Sequence, residues 1–273
     1  MSLTKYKYKY KIIIILILII IFIYKNFYKC KILKYEKFKS KTHLTCVSSF
    51  YYVKNKHSNK YDNWFKNTLN INCPYVFFTN KNSIDIIKKY RKGLPTHYII
   101  LEIKDFYTYK YKNLIKIHPV HCPSVELNLI WNEKLFMLQK AYKLNIYNSD
   151  YFMWIDAGIC CYRTKSPPNK PFPNTKKLLA LPKDKFIYSN SKKYNEKKVS
   201  RNTKWCHITA GAYILHKNII NKFVKIYKQY LDKLLDKNNI WTDQVILTHI
   251  FKDKKNLFYE LTYGYGGVVE YIY

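Results

Sequence analysis

Apolar positions in this chain fall into two rhythms. Short runs rich in β-forming residues occur at His43 to Val53, Pro74 to Thr79, His97 to Ile103, Tyr151 to Ile155 and His207 to Leu215. The most continuous of these, Tyr151 to Ile155, has the pattern of a strand buried on both faces. Between the runs lie segments with helical spacing, at Tyr61 to Leu69, at Ser83 to Tyr90 with Ser83 as cap, and at about Asn218 to Leu235. The longest predicted helix opens at Ser124, directly after Pro123, and runs to about Leu144. Ile130, Met137, Ala141 and Leu144 share one stripe of it, widened by Leu135, Leu138 and Tyr142, which marks that side as facing the core. Lys134 lies on the same stripe, either snorkelling from its edge or reaching an anion. A further helix is expected to start at Thr242, a capping residue, with Asp243 in its first turn, and to continue through Phe251. Strand and helix alternate from His43 onward, so the fold class predicted is α/β: a mostly parallel sheet flanked by helices.

Three stretches fit neither rhythm. Cys160 to Lys204 is rich in Pro, Lys and Ser around one apolar piece at Leu178 to Leu181, and it reads as a long mobile excursion of the kind that covers a site. The C-terminal tail passes through Gly264-Tyr265-Gly266-Gly267 into an apolar, strand-like finish. Near the N-terminus, Ile12 to Tyr24 is an unbroken run of 13 apolar or aromatic residues. A helix of that length spans only ~20 Å of a ~30 Å hydrocarbon layer, unless Phe27, Tyr28 and snorkelling lysines extend it. The run reads as a signal peptide, a short anchor or a core element. An uncleaved anchor is favoured because no small-residue cleavage site follows. The expected division is 1–11 basic tail, 12–28 hydrophobic signal-anchor, 29–42 Lys-rich stem and 43–273 folded domain. This is a single-pass membrane protein in expectation, with lysines on both flanks leaving the side of the domain open.

Composition narrows the function classes. With 48% hydrophobic and 18% aromatic residues, the chain has too much core-forming side chain for a disordered protein. Its formal net charge of +32 would attract any polyanion. Yet only Arg91, Arg163 and Arg201 are arginines among 49 basic residues, and arginine is the residue suited to bidentate phosphate and guanine contacts. The charge therefore reads as compositional, with no specific nucleic-acid partner. The seven cysteines include no CxxC pair, which argues against a zinc ribbon.

Two carboxylates stand out. Asp156 closes the apolar run Tyr151 to Ile155 and precedes Ala157-Gly158, at the carboxyl end of a strand where α/β sheets bind ligands. The alternative role is a turn cap before the glycine. Asp243 stands in the first turn of a predicted helix, where a carboxylate stabilises the helix N-terminus.

The run Tyr151-Phe152-Met153-Trp154-Ile155-Asp156-Ala157-Gly158, the preceding helix with Lys134, Ala210-Gly211 and Asp243-Gln244 resemble the HtrL/YibB family. So do the opening Thr45 to Phe50, the Tyr61, Trp64 and Phe65 group, and the Pro74 to Thr79 strand. That pattern is similar to the GT-A glycosyltransferases, which use nucleotide-diphosphate sugars. The resemblance implies a GT-A-like fold and an enzyme moving a sugar from such a donor to an unknown glycan, lipid or protein acceptor. Lys134, Asp156 and Gly158 would be donor-binding, and His207, Gly211 and Ala212 acceptor-binding. Asp243 would be catalytic, contacting the acceptor hydroxyl. A divalent cation, Mn or Mg, would sit at Asp156 with His249. The sequence departs from the Asp-x-Asp pattern at Gly158, which stands where the second Asp would be, so metal dependence stays open. The rival reading is a membrane-tethered basic binding protein or a catalytically inactive scaffold on the same fold. Convergence of Lys134, Asp156 and Asp243 on one cavity favours the enzyme.

Overall fold

The computed structural model describes residues 42–57, 60–199, 205–235 and 242–273. The basic tail, the signal-anchor and all of the stem but residue 42 lie outside the described residues. Among those described, no helix is long and apolar enough to cross a membrane.

The elements in chain order are β1 (Leu44–Ser49), α1 (Lys60–Thr68), β2 (Tyr75–Thr79), α2 (Ile84–Tyr90), β3 (Thr96–Ile100), α3 (Val125–Leu144) and β4 (Tyr151–Ile155). They continue with α4 (Thr175–Leu179), β5 (Phe186–Asn190), β6 (Ile208–His216), α5 (Lys217–Leu235), α6 (Asp243–Asp253), β7 (Phe258–Tyr263) and α7 (Gly267–Tyr271). Seven strands form one mixed sheet in the order β3-β2-β1-β4-β6-β5-β7. Strands β3, β2, β1 and β4 are parallel neighbours, β6 runs antiparallel to both β4 and β5, and β7 is parallel to β5.

Strand β4 shows why its sequence is a continuous apolar run. Phe152 and Trp154 enter one core, with Leu135, Met137 and Leu138 of α3 and Phe223 of α5. Met153 and Ile155 enter the other, with Phe65 of α1, Ile87 of α2 and Val268 of α7. Both faces are covered, so neither set of alternating positions is polar. The register pairs Val47 of β1 with Trp154 of β4, which brings the carboxyl ends of these parallel strands to the same edge of the sheet.

Helix caps follow the expected chemistry at two places. Ser124 Oγ accepts from Leu127 N at 3.2 Å, and Thr242 Oγ1 accepts from Val245 N at 3.4 Å. Ser83 makes no such cap; its Oγ accepts from Tyr52 N at 2.9 Å, tying the chain after β1 to the start of α2.

The structure corrects two further expectations. Cys160 to Lys204 is not one long excursion: it contains α4 and the fully buried strand β5, hydrogen-bonded between β6 and β7. Only Phe186, Ile187 and Tyr188 carry that strand's apolar signal, hidden among Lys, Asn and Ser. The C-terminal finish is the helix α7, entered through Gly266 at φ +88°, a left-handed conformation suited to glycine.

Candidate functional site

A cavity of about 690 Å³ opens beyond the carboxyl ends of β1 and β4. Its walls include Ser49 to Tyr51 at the end of β1, Asp156 to Cys160 after β4, Ala210 and Gly211 on β6, and Thr242 to Gln244 where α6 begins. Trp131 and Lys134 reach it from α3. The backbone holds the post-β4 turn in place through Asp156 N to Gly211 O at 2.8 Å and Ile159 N to Asp156 O at 3.0 Å.

Lys134 is the centre of the arrangement. Its Nζ lies 3.0 Å from Asp156 Oδ1 and 3.2 Å from Asp243 Oδ2, and donates to Ala210 O at 3.0 Å. The Lys134 and Asp243 side chains are each 6% exposed, whereas Asp156 is 39% exposed toward the opening. Lys134 thus neither snorkels nor waits for an anion in the free protein; it is a buried cation shared by two carboxylates. Burial disfavours its charge, but the attraction of Asp156 and then Asp243 outweighs this and raises its pKa. For Asp243 the balance reverses. Burial, aided by the nearby Asp156 charge, pushes its carboxyl up to about 6 despite Lys134 and the 3.0 Å hydrogen bond from Gln244 N. Asp243 Oδ2 is buried and touches Lys134 without an aligned hydrogen bond.

Asp156 Oδ1 also accepts from Trp154 Nε1 at 2.8 Å. Both donors fall on one oxygen, and among the described residues Oδ2 has none. Gly211 gives that oxygen room: a Cβ there would stand 3.5 Å from Asp156 Oδ2 and 3.2 Å from Ile159 Cδ1. Gly158 answers a tighter constraint, since a Cβ would lie 2.9 Å from Tyr61 Cε1 and 3.3 Å from Trp64 Cε3.

Of the residues expected at the site, Lys134, Asp156, Gly158, Gly211 and Asp243 come together here. Ala212, His207 and His249 do not line the cavity. Ala212 is buried in β6 opposite Ile155. His207 is buried with one ring nitrogen 2.9 Å from Tyr188 Oη and the other 2.6 Å from Lys192 O, a packing role. His249 is half-buried on α6. Among the described residues no group of three or more His, Cys, Asp or Glu is placed to hold a metal ion. The donor chemistry agrees: one Asp156 oxygen is taken by Lys134 and Trp154, Asp243 is paired, and position 158 offers no carboxylate. These residues do not fit a protein-held divalent cation.

Tyr61 and Trp64 entered the sequence reading only as part of the family pattern and Arg163 only as one of three arginines; none of them was given a place at the site. Arg163 Nε donates to Gly158 O at 2.8 Å and its guanidinium lies 4.0 Å over the Trp64 ring. Its signal was present in the composition, as one of three arginines in a chain that otherwise uses lysine.

Solved structures similar to this chain include the apo-form glycosyltransferase GlyE of Streptococcus pneumoniae TIGR4, at 14% identity and a TM-score of 0.40. That likeness takes in 81% of this chain and 45% of GlyE, so this chain spans less than half the length of GlyE. Another is the galactosyltransferase LgtC in complex with donor and acceptor sugar analogues, at 10% identity and a TM-score of 0.45, covering 81% of this chain and 73% of LgtC. No curated protein matches. The profile of the family described as "Bacterial protein of unknown function (HtrL_YibB)" matches residues 101–266, more than half of the chain, and the protein belongs to that family.

Proposed function

We propose that the protein transfers a sugar from a nucleotide-diphosphate sugar to a glycan, lipid or protein acceptor. The observation that carries this reading is the Lys134 ammonium held 3.0 Å from Asp156 and 3.2 Å from Asp243 on the wall of one cavity at the strand ends. A buried cation shared by two acids is weak as a source of stability, because desolvation offsets most of its Coulombic gain. Its place in a cavity beyond parallel strands supports a role in binding and chemistry instead. The same convergence disfavours a scaffold that merely tethers polyanions.

In this reading Asp156 Oδ2 accepts a hydroxyl of the donor, and Lys134 fixes the carboxylate that does so. The acceptor oxygen forms a bond to the anomeric carbon while the bond from that carbon to the phosphate oxygen breaks. The nucleoside diphosphate leaves with the electron pair. The acceptor's proton passes to the Asp243 carboxylate and then to solvent. A carboxyl near 6 is mostly ionised at neutral pH, yet basic enough to receive that proton.

A panel of nucleotide sugars scored by thermal shift tests the donor class, since a ligand bound only to the native state raises stability by mass action. With the donor in hand, Asp156→Asn should weaken donor affinity and slow transfer by about a hundredfold. Asp243→Asn should spare donor affinity, lower kcat by a similar factor and abolish the acidic limb near pH 6 in the rate profile. Near-normal transfer by both variants sinks the assignment.

A further inference from the structure

Two of the three arginines, Arg91 and Arg163, are put to opposite uses. Arg91 is buried and its guanidinium donates to the carbonyls of Leu69, Ile71, Cys73 and Pro95 and to Thr96 Oγ1, while lying 4.0 Å over the Tyr75 ring. Its donors are spent on the fold. Arg163 lies at the same 4.0 Å over an aromatic ring, that of Trp64, and is anchored by Nε alone. Among the described residues neither of its terminal nitrogens has a hydrogen-bond partner, and no carboxylate stands within ion-pair distance. Arg163 is half-buried on the cavity wall with Lys56 and His57. Burial, then the positive fields of Arg163, Lys56 and Lys60, hold His57 down to about 4, so this ring adds no charge at neutral pH and leaves the wall's cations to the arginine and lysines.

A guanidinium stacked on indole and tied at Nε keeps its outer edge as a planar fork of donors, the geometry that matches two phosphate oxygens. Its rotamer is already fixed, so little side-chain entropy remains to be lost when an anion arrives. Its anchor is the carbonyl of Gly158, the position at which an Asp-x-Asp motif would present its second carboxylate. Where such a motif would recruit a cation, this chain fastens one covalently.

Taking the nucleotide-sugar reading as its basis, we propose that Arg163 is the phosphate-binding residue of the cavity. It grips the diphosphate of the donor, and the protein binds that donor without a divalent cation. The same contact would stabilise the charge growing on the leaving diphosphate.

The test is calorimetric titration of the full chain with UDP, GDP and inorganic pyrophosphate, in EDTA and again with Mn²⁺. At least one of these probes should bind in EDTA, with affinity changed less than about threefold by Mn²⁺. Arg163→Gln should weaken it by at least about tenfold, and Arg163→Lys, which keeps the charge and loses the fork, should recover only part. Thermal melting of both variants establishes that they fold; if the glutamine variant does not, the lysine variant decides. Binding that requires Mn²⁺, or unchanged affinity in the folded variants, overturns the proposal. Nucleotide binding that ignores Arg163 leaves the donor reading standing while this one falls. Arg163-dependent binding of pyrophosphate alone keeps the anion site and removes the nucleotide donor; no binding of any probe removes both.

Discussion

Glu133 and Lys134 are neighbours on α3, both buried and both ionisable, and they face different surroundings. The Glu133 carboxylate is met by backbone: Oε1 accepts from Tyr107 N and Oε2 from Thr108 N, each at 3.0 Å. It caps the turns that follow β3. Burial nevertheless pushes its carboxyl up to about 7, with those N–H groups and Lys140 acting against the rise. The Lys134 ammonium is met by side chains that themselves carry charge and open on a cavity. Adjacent residues thus separate two uses of a buried charge. One closes the backbone's hydrogen bonds and the other joins two acids on the wall of a cavity.

The largest effect that could break this contrast comes from Lys134→Met. Removing the shared cation leaves two carboxylates facing each other, one of them buried, at a cost of about 3–5 kcal/mol of stability. Denaturant unfolding would show it. Adding Asp243→Asn should return most of that stability while transfer stays lost, because the charge conflict is relieved but the site is not rebuilt. A double variant with recovered transfer would mean that the triad is architectural, like Glu133.

A smaller effect sharpens the other side. A carboxyl raised from its ordinary 4.5 to about 7 in the folded state binds its proton more tightly there than in the unfolded chain. Its contribution to stability is therefore present below about 4.5 and is lost as pH rises through 7. Glu133→Gln removes that dependence. The stability difference should move in the variant's favour by about 3 kcal/mol between pH 4.5 and 8, with nucleotide affinity unchanged. Parallel curves for the two proteins would show that Glu133 does not titrate in this range. The smallest change is expected of Ser124→Ala, which removes the α3 cap for about 1 kcal/mol and should leave Lys134 chemistry intact in a transfer assay.

How much of this was legible in the chain varies by element for physical reasons. Strand β4 is bounded as its apolar run is, because burial on both faces leaves no polar alternation to blur it. The cap at Thr242 was legible because a cap is local to one side chain and the next turn, whereas Ser83, expected as a cap, turns instead to Tyr52 N, a partner distant in sequence. Strand β5 was not, since three apolar residues in a Lys-rich stretch give no period to read. Nor was α7, where Val268 and Val269 look strand-forming but pack as one helical turn against β5 and β6. At the site, Asp156 and Asp243 announced themselves by their places at a strand end and a helix start. That Lys134 joins them was invisible to periodicity, which sees a lysine on an apolar stripe and not the acids that a strand end and a helix start bring to it. Arg163 was legible only as a rarity.

Gly158 also constrains which sequences lie within reach of this one. Tyr61, whose ring a Cβ at 158 would strike, is wedged among Phe50, Trp64 and Phe65 with centroids 5.3 to 5.6 Å away, so it has little room to retreat. A lone mutation to aspartate at 158 would therefore meet a rigid ring before it met a metal. The path from this protein to a two-carboxylate relative runs through Tyr61 first, or through both positions together. Substitutions at the two sites should be strongly non-additive, and descendants of this lineage that carry an acid at 158 should carry something smaller than tyrosine at 61.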